Sequence, residues 1–179
     1  MKVIFLDIDG VLNTSETFIE QSKNYKQKGI YNVEIDEFRV EYLKQIIEKT
    51  NAKIVLSSSW RYFFIKENDI VLPKTQKGLD LYKLLKKYNI EIYDITTKQH
   101  MKREEQINLW LINHDVESFI VIDDCSYDLQ SFIGKELIKT SFTKDAEMLI
   151  DMDDCIGLCE EHISQAINIL NFKTKVKKL

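Results

Sequence analysis

Apolar residues follow two rhythms along this chain. Short continuous runs rich in β-branched residues occur at Val3-Ile-Phe-Leu6, Ile54-Val-Leu56 and Phe119-Ile-Val-Ile122, with a weaker run at Ile90-Glu-Ile-Tyr93. Runs that do not alternate with polar positions suit strands covered on both faces, as in a parallel sheet. Between them, apolar positions recur at helical spacing. Val40, Leu43, Ile46 and Ile47 share one side of a predicted helix that Asp36 can cap. Leu81, Leu84 and Leu85 mark a second helix. Ile107, Leu109, Trp110 and Leu111 mark a third, opened by Arg103-Glu-Glu-Gln106. Cys159, Ile163, Ala166, Ile167 and Leu170 mark a C-terminal one. Alternating strands and helices predict an α/β fold, a three-layer Rossmann-like parallel sheet. Ligands of such folds bind beyond the carboxyl ends of the strands.

That rule selects candidate chemistry. The residues that follow the strand candidates are Asp7 and Asp9, then Ser57, Ser58 and Ser59, then Asp123 and Asp124. Each group alone has an ordinary reading. Asp-x-Asp after a strand is a turn, three serines are a loop, and Lys102-Arg103 is a solvated helix start. Their arrival in order at successive strand ends points instead to a site. Carboxylates gathered at one sheet edge repel one another, and a divalent cation resolves that repulsion. Oxygen-only ligands at an open, hydrated position favour Mg²⁺. Mg²⁺ would also neutralise an incoming phosphate. Asp7 then becomes the candidate nucleophile, and Asp9 the group that protonates the leaving oxygen and later activates water. The candidate phosphate-binding residues are Ser57, Ser58, Lys102 and Arg103. Asp7, Asp9, Asp123 and Asp124 are the candidate metal-binding residues.

The totals change this picture little. The chain has 179 residues, 44% of them apolar and 30% charged, with a net charge of −4. One domain over residues 1–179 is expected, burying roughly 70% of the surface of its unfolded chain. The acidic balance argues against a dedicated nucleic-acid binder. A basic cluster, Lys173-Thr-Lys-Val-Lys-Lys178, reads as a frayed terminus. There are three cysteines: Cys125, Cys155 and Cys159. Cys155-x-x-x-Cys159 lacks the second pair of ligands that a zinc site uses, so no zinc is expected. Free thiols, no signal-like segment and no membrane-length apolar run suggest a cytoplasmic protein with no membrane partner. No obligate protein partner is evident.

The same residues resemble the motifs of the haloacid dehalogenase (HAD) superfamily. Asp7-Ile-Asp9-Gly-Val resembles its first motif, Ile54-Val-Leu-Ser-Ser58 the second, and Lys102 or Arg103 the third. Asp124-Cys-Ser-Tyr-Asp128 resembles the fourth, with Asp123 where many members carry glycine. A closer likeness runs from Met1 to Leu170. Ile54-Val-Leu-Ser-Ser-Ser-Trp-Arg61, Arg103-Glu-Glu-Gln-Ile-Asn-Leu-Trp-Leu111, Val121-Ile-Asp-Asp124 and Gly157-Leu158 resemble the HAD domains of Swiss-army-knife RNA-repair proteins. Many of those relatives carry a third acid where this chain has Cys125; the resemblance implies that Asp123 and Asp124, with Asp128 in support, still serve metal binding. The resemblance implies a phosphoaspartyl intermediate on Asp7 and acid–base catalysis by Asp9. Mg²⁺ would be held by the Asp7 carboxylate, the Asp9 backbone carbonyl and Asp124. In the second motif Ser58 is favoured as the phosphate ligand, and in the third Arg103.

Little or no cap domain is expected. The stretch from Thr14 to Ile35, with Phe18, Tyr25, Tyr31, Lys23, Lys26 and Lys28, is large enough only for a small flap. An open site admits a large phosphorylated substrate, such as a nucleotide or an RNA or DNA terminus, and the flap could stack on a base. Trp60 and Arg61 follow the serines, at the mouth of the expected site, although Trp60 suits core packing better. The alternatives are a protein or small-metabolite phosphatase and, from another class, a catalytically idle HAD-like binding module.

Overall fold

The continuous apolar runs become the strands of one parallel sheet. The computed structural model describes residues 1–28, 34–143 and 155–172. The Lys173–Lys178 cluster and part of the expected flap, including Tyr31, lie outside the described residues. In chain order the elements are β1 (Lys2–Leu6), α1 (Ser15–Lys28), α2 (Glu37–Thr50), β2 (Lys53–Leu56), β3 (Phe64–Glu67), β4 (Ile70–Pro73), α3 (Gln76–Lys87), β5 (Ile92–Ile95), α4 (Arg103–Ile112), β6 (Ser118–Asp123), β7 (Leu137–Lys139) and α5 (Glu160–Asn171). The five-stranded sheet has the order β5-β2-β1-β6-β7, and every pairing in it is parallel. Successive strands step outward from β1 through β2 to β5, and the chain then returns to β6 on the other side of β1. The switch point of this open sheet, where ligands bind, lies between β1 and β6.

Side chains alternate across the sheet and build two cores. Ile4, Leu6 and Ile8 pack with Val40, Leu43 and Ile46 of α2, Leu81 and Leu85 of α3, and Ala166 and Leu170 of α5. Val3, Phe5, Val55 and Val121 pack on the opposite face with Ile107 and Trp110 of α4. The Phe5 and Trp110 rings meet edge to face at 5.4 Å. Three layers result, as expected from the chain.

Several local details differ from expectation. The run Ile90–Tyr93 pairs two residues later, as β5, because the Ile90 N–H donates to Leu85 O and closes α3. β3 and β4 form an antiparallel hairpin whose two turn residues, Asn68 and Asp69, both have positive φ (48° and 62°). Those angles match the hairpin turn that follows strand twist, which Asn and Asp tolerate. Much of the expected flap is helical in α1, whose apolar residues form no continuous stripe: Ile19 and Tyr25 are exposed. Asp36 occupies the N-cap of α2, yet its carboxylate makes no capping bond. It accepts instead from Arg39 Nε and Thr17 Oγ1, both at 2.9 Å, and so ties α1 to α2. No domain-sized cap is present among the described residues, and no helix among them is long and apolar enough to cross a membrane.

Candidate active site

Register decides which strand-end residues meet. Leu6 pairs with Leu56 on one side and Ile122 on the other. The next hydrogen bonds run from the Asp7 N–H to Ile122 O and from the Ser57 N–H to Leu6 O, at 3.0 Å each. Asp7, Ser57 and Asp123 therefore follow Phe5, Val55 and Val121 on the α4 face of the sheet. The first residue of α4 is Arg103, so the helix start delivers a guanidinium to that face.

Arg103 Nη1 lies 3.1 Å from Asp7 Oδ2 and also pairs with Asp123 Oδ2. Burial works against charge on Arg103, but Asp7 and Asp123 more than offset it, and the pKa of the guanidinium is raised. Burial, then repulsion from Asp7, pushes Asp123 up against the pull of Arg103. The same two causes push Asp124 up to about 6. A single guanidinium thus leaves negative charge unbalanced. Carboxylate oxygens of Asp7, Asp123 and Asp124 lie within 4.8 Å of one another. An all-oxygen set with excess negative charge fits a hard divalent cation.

The hydrogen bonds sort these acids. Asp123 has both oxygens engaged, Oδ2 with Arg103 and Oδ1 accepting from the Cys125 N–H at 2.9 Å. Asp9 is engaged at both oxygens too: Oδ1 accepts from Asn13 Nδ2 (2.9 Å) and Oδ2 from Trp60 Nε1 (3.0 Å). Any share of Asp9 in a cation site therefore falls to its backbone carbonyl. Asp7 and Asp124 remain the carboxylates best able to hold a cation. Gly10 makes room for the second of them. Its φ is +75°, and a Cβ there would sit 2.3 Å from Asp124 Cγ.

Asn13 was not among the candidate site residues, and Trp60 was considered only for the mouth of the site or the core. Asn13 is fully buried; it also accepts from the Gly10 N–H and donates to Glu34 O. Trp60 is buried as the core reading expected, while its one polar atom serves Asp9. Lys77 stands 4.2 Å above the Trp60 ring and pairs with Glu34 at 2.9 Å. Only the rule that a buried indole N–H finds an acceptor could have signalled this role.

The two serines have different employment. Ser58 Oγ accepts from the Trp60 N–H at 3.2 Å and caps a short 3-10 helix, Ser59–Phe63. Ser57 Oγ is buried without a hydrogen-bond partner, and it is Ser57 that shares the face of Asp7. Arg61 is buried and braces the turn, donating from Nη1 to Ser58 O at 2.8 Å and from Nε to Thr97 O at 3.2 Å. Lys102 is exposed and contributes its backbone N–H to Glu105. Asp128 fastens α4, accepting from the Arg103 N–H through Oδ2 and the Glu104 N–H through its carbonyl, both at 3.1 Å. Cys125 is exposed beside these groups.

An open parallel sheet of this order, with acids gathered at its switch point, defines a Rossmann-like protein of the HAD type. Residues 3–162 match the family described as the HAD domain in Swiss Army Knife RNA repair proteins, and the chain belongs to that family. No curated protein and no solved structure matches it.

Proposed function

We propose that this chain is a Mg²⁺-dependent phosphohydrolase that removes a terminal phosphate from a nucleotide or a nucleic-acid end. The observation that carries the reading is the meeting of Asp7 with Arg103, Asp123 and Asp124 at the switch point of the sheet. Asp7 and Asp124, with the Asp9 carbonyl, would hold the cation. When bound, Mg²⁺ would offset the negative charge of the phosphoryl group and of the acids around it.

The chain's own residues divide the remaining work. An Asp7 carboxylate oxygen attacks phosphorus, and the phosphorus–oxygen ester bond breaks as the aspartyl phosphate forms. Asp9 gives its proton to the departing oxygen. It then takes a proton from the water that attacks phosphorus, and the bond to Asp7 breaks to release phosphate. Asn13 and Trp60 orient Asp9 for both transfers. Arg103 holds a phosphoryl oxygen by charge-assisted hydrogen bonds. We assign a second phosphoryl contact to the Ser57 hydroxyl, whose buried oxygen otherwise has no partner. Ser58 already serves the turn, and Lys102 lies too exposed for this role.

The nucleic-acid class of substrate rests on the family's description and on the absence of a cap domain among the described residues, which leaves room for a large leaving group. The test is turnover with Mg²⁺ of p-nitrophenyl phosphate, mononucleotides, and RNA and DNA bearing 3′- or 5′-phosphates. Asp7→Asn is expected to lose activity by about a thousandfold or more while keeping its fold. Unchanged turnover in Asp7→Asn would refute the mechanism. Preference for a phosphoprotein or a small metabolite would overturn the substrate class. No turnover of any substrate by the wild type would make the chain a binding module.

A further inference from the structure

A second cluster of ligating side chains lies away from the acids, at the start of α5. The turn that enters this helix carries Cys155 and Cys159, and the first turn of the helix carries Glu161 and His162. Cys155 Sγ lies 2.5 Å from Glu161 Oε2, and Cys159 Sγ lies 3.7 Å from the same oxygen. Cys159 Sγ also lies 3.3 Å from Nδ1 of His162, which is buried. Ligand atoms of Cys155, Cys159 and Glu161 all fall within 4.8 Å of one another.

We propose that Cys155, Cys159 and Glu161 bind a thiophilic divalent metal, zinc by its chemistry, with the fourth tetrahedral position left to water; His162 Nδ1 accepts from the Cys159 N–H at 3.3 Å and stays outside the ligand set. Tetrahedral zinc with sulfur at about 2.3 Å and nitrogen at about 2.0 Å separates its ligands by roughly 3.5–3.8 Å. The Cys159 contact to Glu161 already lies near that spacing. Cys155 and Glu161 need only part by about an ångström to admit the ion. The spacing Cys-x-x-x-Cys looked incomplete as a zinc pattern because its second pair is neither Cys nor a distant His. Glu161 follows immediately on the helix.

The backbone of the site is preorganised without metal. The Gly157 N–H donates to Ser141 O and the Leu158 N–H to Val11 O, both at 2.8 Å. Arg39 Nη1 donates to Ile156 O at 2.6 Å and to Leu158 O at 2.9 Å. The loop between the cysteines is therefore held from two sides, which lowers the ordering cost of binding.

Donor softness separates this site from the oxygen-only site of Asp7 and Asp124. The Leu158–Val11 bond joins the metal-bearing turn to the turn that follows Asp9. The inference stands independently of the phosphohydrolase reading.

The test uses the full chain, purified under reducing conditions, stripped with a chelator and titrated with Co²⁺. The expected result is a near-ultraviolet thiolate-to-cobalt charge-transfer band that saturates at a single equivalent and is lost on adding Zn²⁺. Asp124→Asn should keep the band, and Cys155→Ser with Cys159→Ser should lose it. A second measurement on the wild type does not depend on those variants folding. Zn²⁺ should slow alkylation of Cys155 and Cys159 by about tenfold or more and leave the exposed Cys125 unaffected. A wild type with no thiolate band, or one in which Zn²⁺ protects neither cysteine, overturns the proposal. So does recovery of a Cys155–Cys159 disulfide that excludes the metal.

Discussion

Asp9 has no freedom to choose its orientation. Asn13 and Trp60 each donate to one of its oxygens, so the carboxyl is aimed by two side chains that themselves have fixed positions. Trp60→Phe removes one donor and keeps most of the ring. It should lower kcat about tenfold with little change in KM, because the lost interaction acts on proton transfer rather than on substrate binding. The smaller ring costs on the order of 1–2 kcal/mol of stability. Steady-state kinetics beside a thermal melt would separate the two effects, and a kcat equal to wild type would remove Trp60 from the machinery. Asp7 and Arg103 were readable from the chain as strand-end and helix-start residues. The indole was not, because its partner lies far away in sequence.

Strand ends and the turns after them carry the next level of design. Ser57 and Ser58 are adjacent just past β2, but only Ser57 continues the sheet's hydrogen bonding beside Asp7, while Ser58 turns away to cap the 3-10 helix. Ser57→Ala should leave stability nearly unchanged, since the hydroxyl it removes is buried without a partner. It should raise KM for a phosphate ester several-fold. Ser58→Ala should do the reverse, losing the cap to the Trp60 N–H at a cost of about 0.5–2 kcal/mol. Paired melts and kinetics decide it; a KM effect confined to Ser58→Ala would reassign the phosphate contact. Gly10→Ala meets two obstacles, a positive φ and the Asp124 carboxyl in the space of the new methyl. It should lose at least about 1–2 kcal/mol of stability and weaken Mg²⁺ binding, measurable by calorimetric titration. The β3–β4 hairpin and α1 were the elements least visible in the chain. The hairpin strands are short and half exposed, and α1 lacks the apolar stripe by which helices are recognised.

The whole molecule balances a concentration of negative charge at one edge of its sheet. The folded-state pKa of Asp124, about 6, lies above its ordinary value of 3.8. Protonation therefore favours the metal-free fold: this contribution is complete below about pH 4 and is lost as pH rises through about 6. Cation binding needs the ionised carboxylate. The rise in Tm produced by Mg²⁺ should accordingly grow between about pH 5 and pH 7, on the order of a few kcal/mol in stability. Melting curves with and without Mg²⁺ across that range check the coupling, and a Tm increment independent of pH would show that Asp124 is not a ligand.

By itself, the order of residues determined the strands, most of the helices and the chemistry at their ends. Those properties depend on local periodicity and on which residue follows each apolar run. Asp7, Asp9, Ser57, Ser58, Arg103, Asp123, Asp124 and Asp128 could therefore all be named from the chain. Only the tertiary structure decided their partners. Sheet register put Ser57 rather than Ser58 on the face of Asp7, and packing of α4 brought Arg103 rather than Lys102 to the acids. The fold also set Trp60 against Asp9. Such contacts arise from the way the elements pack in space, which residue spacing along a chain does not encode.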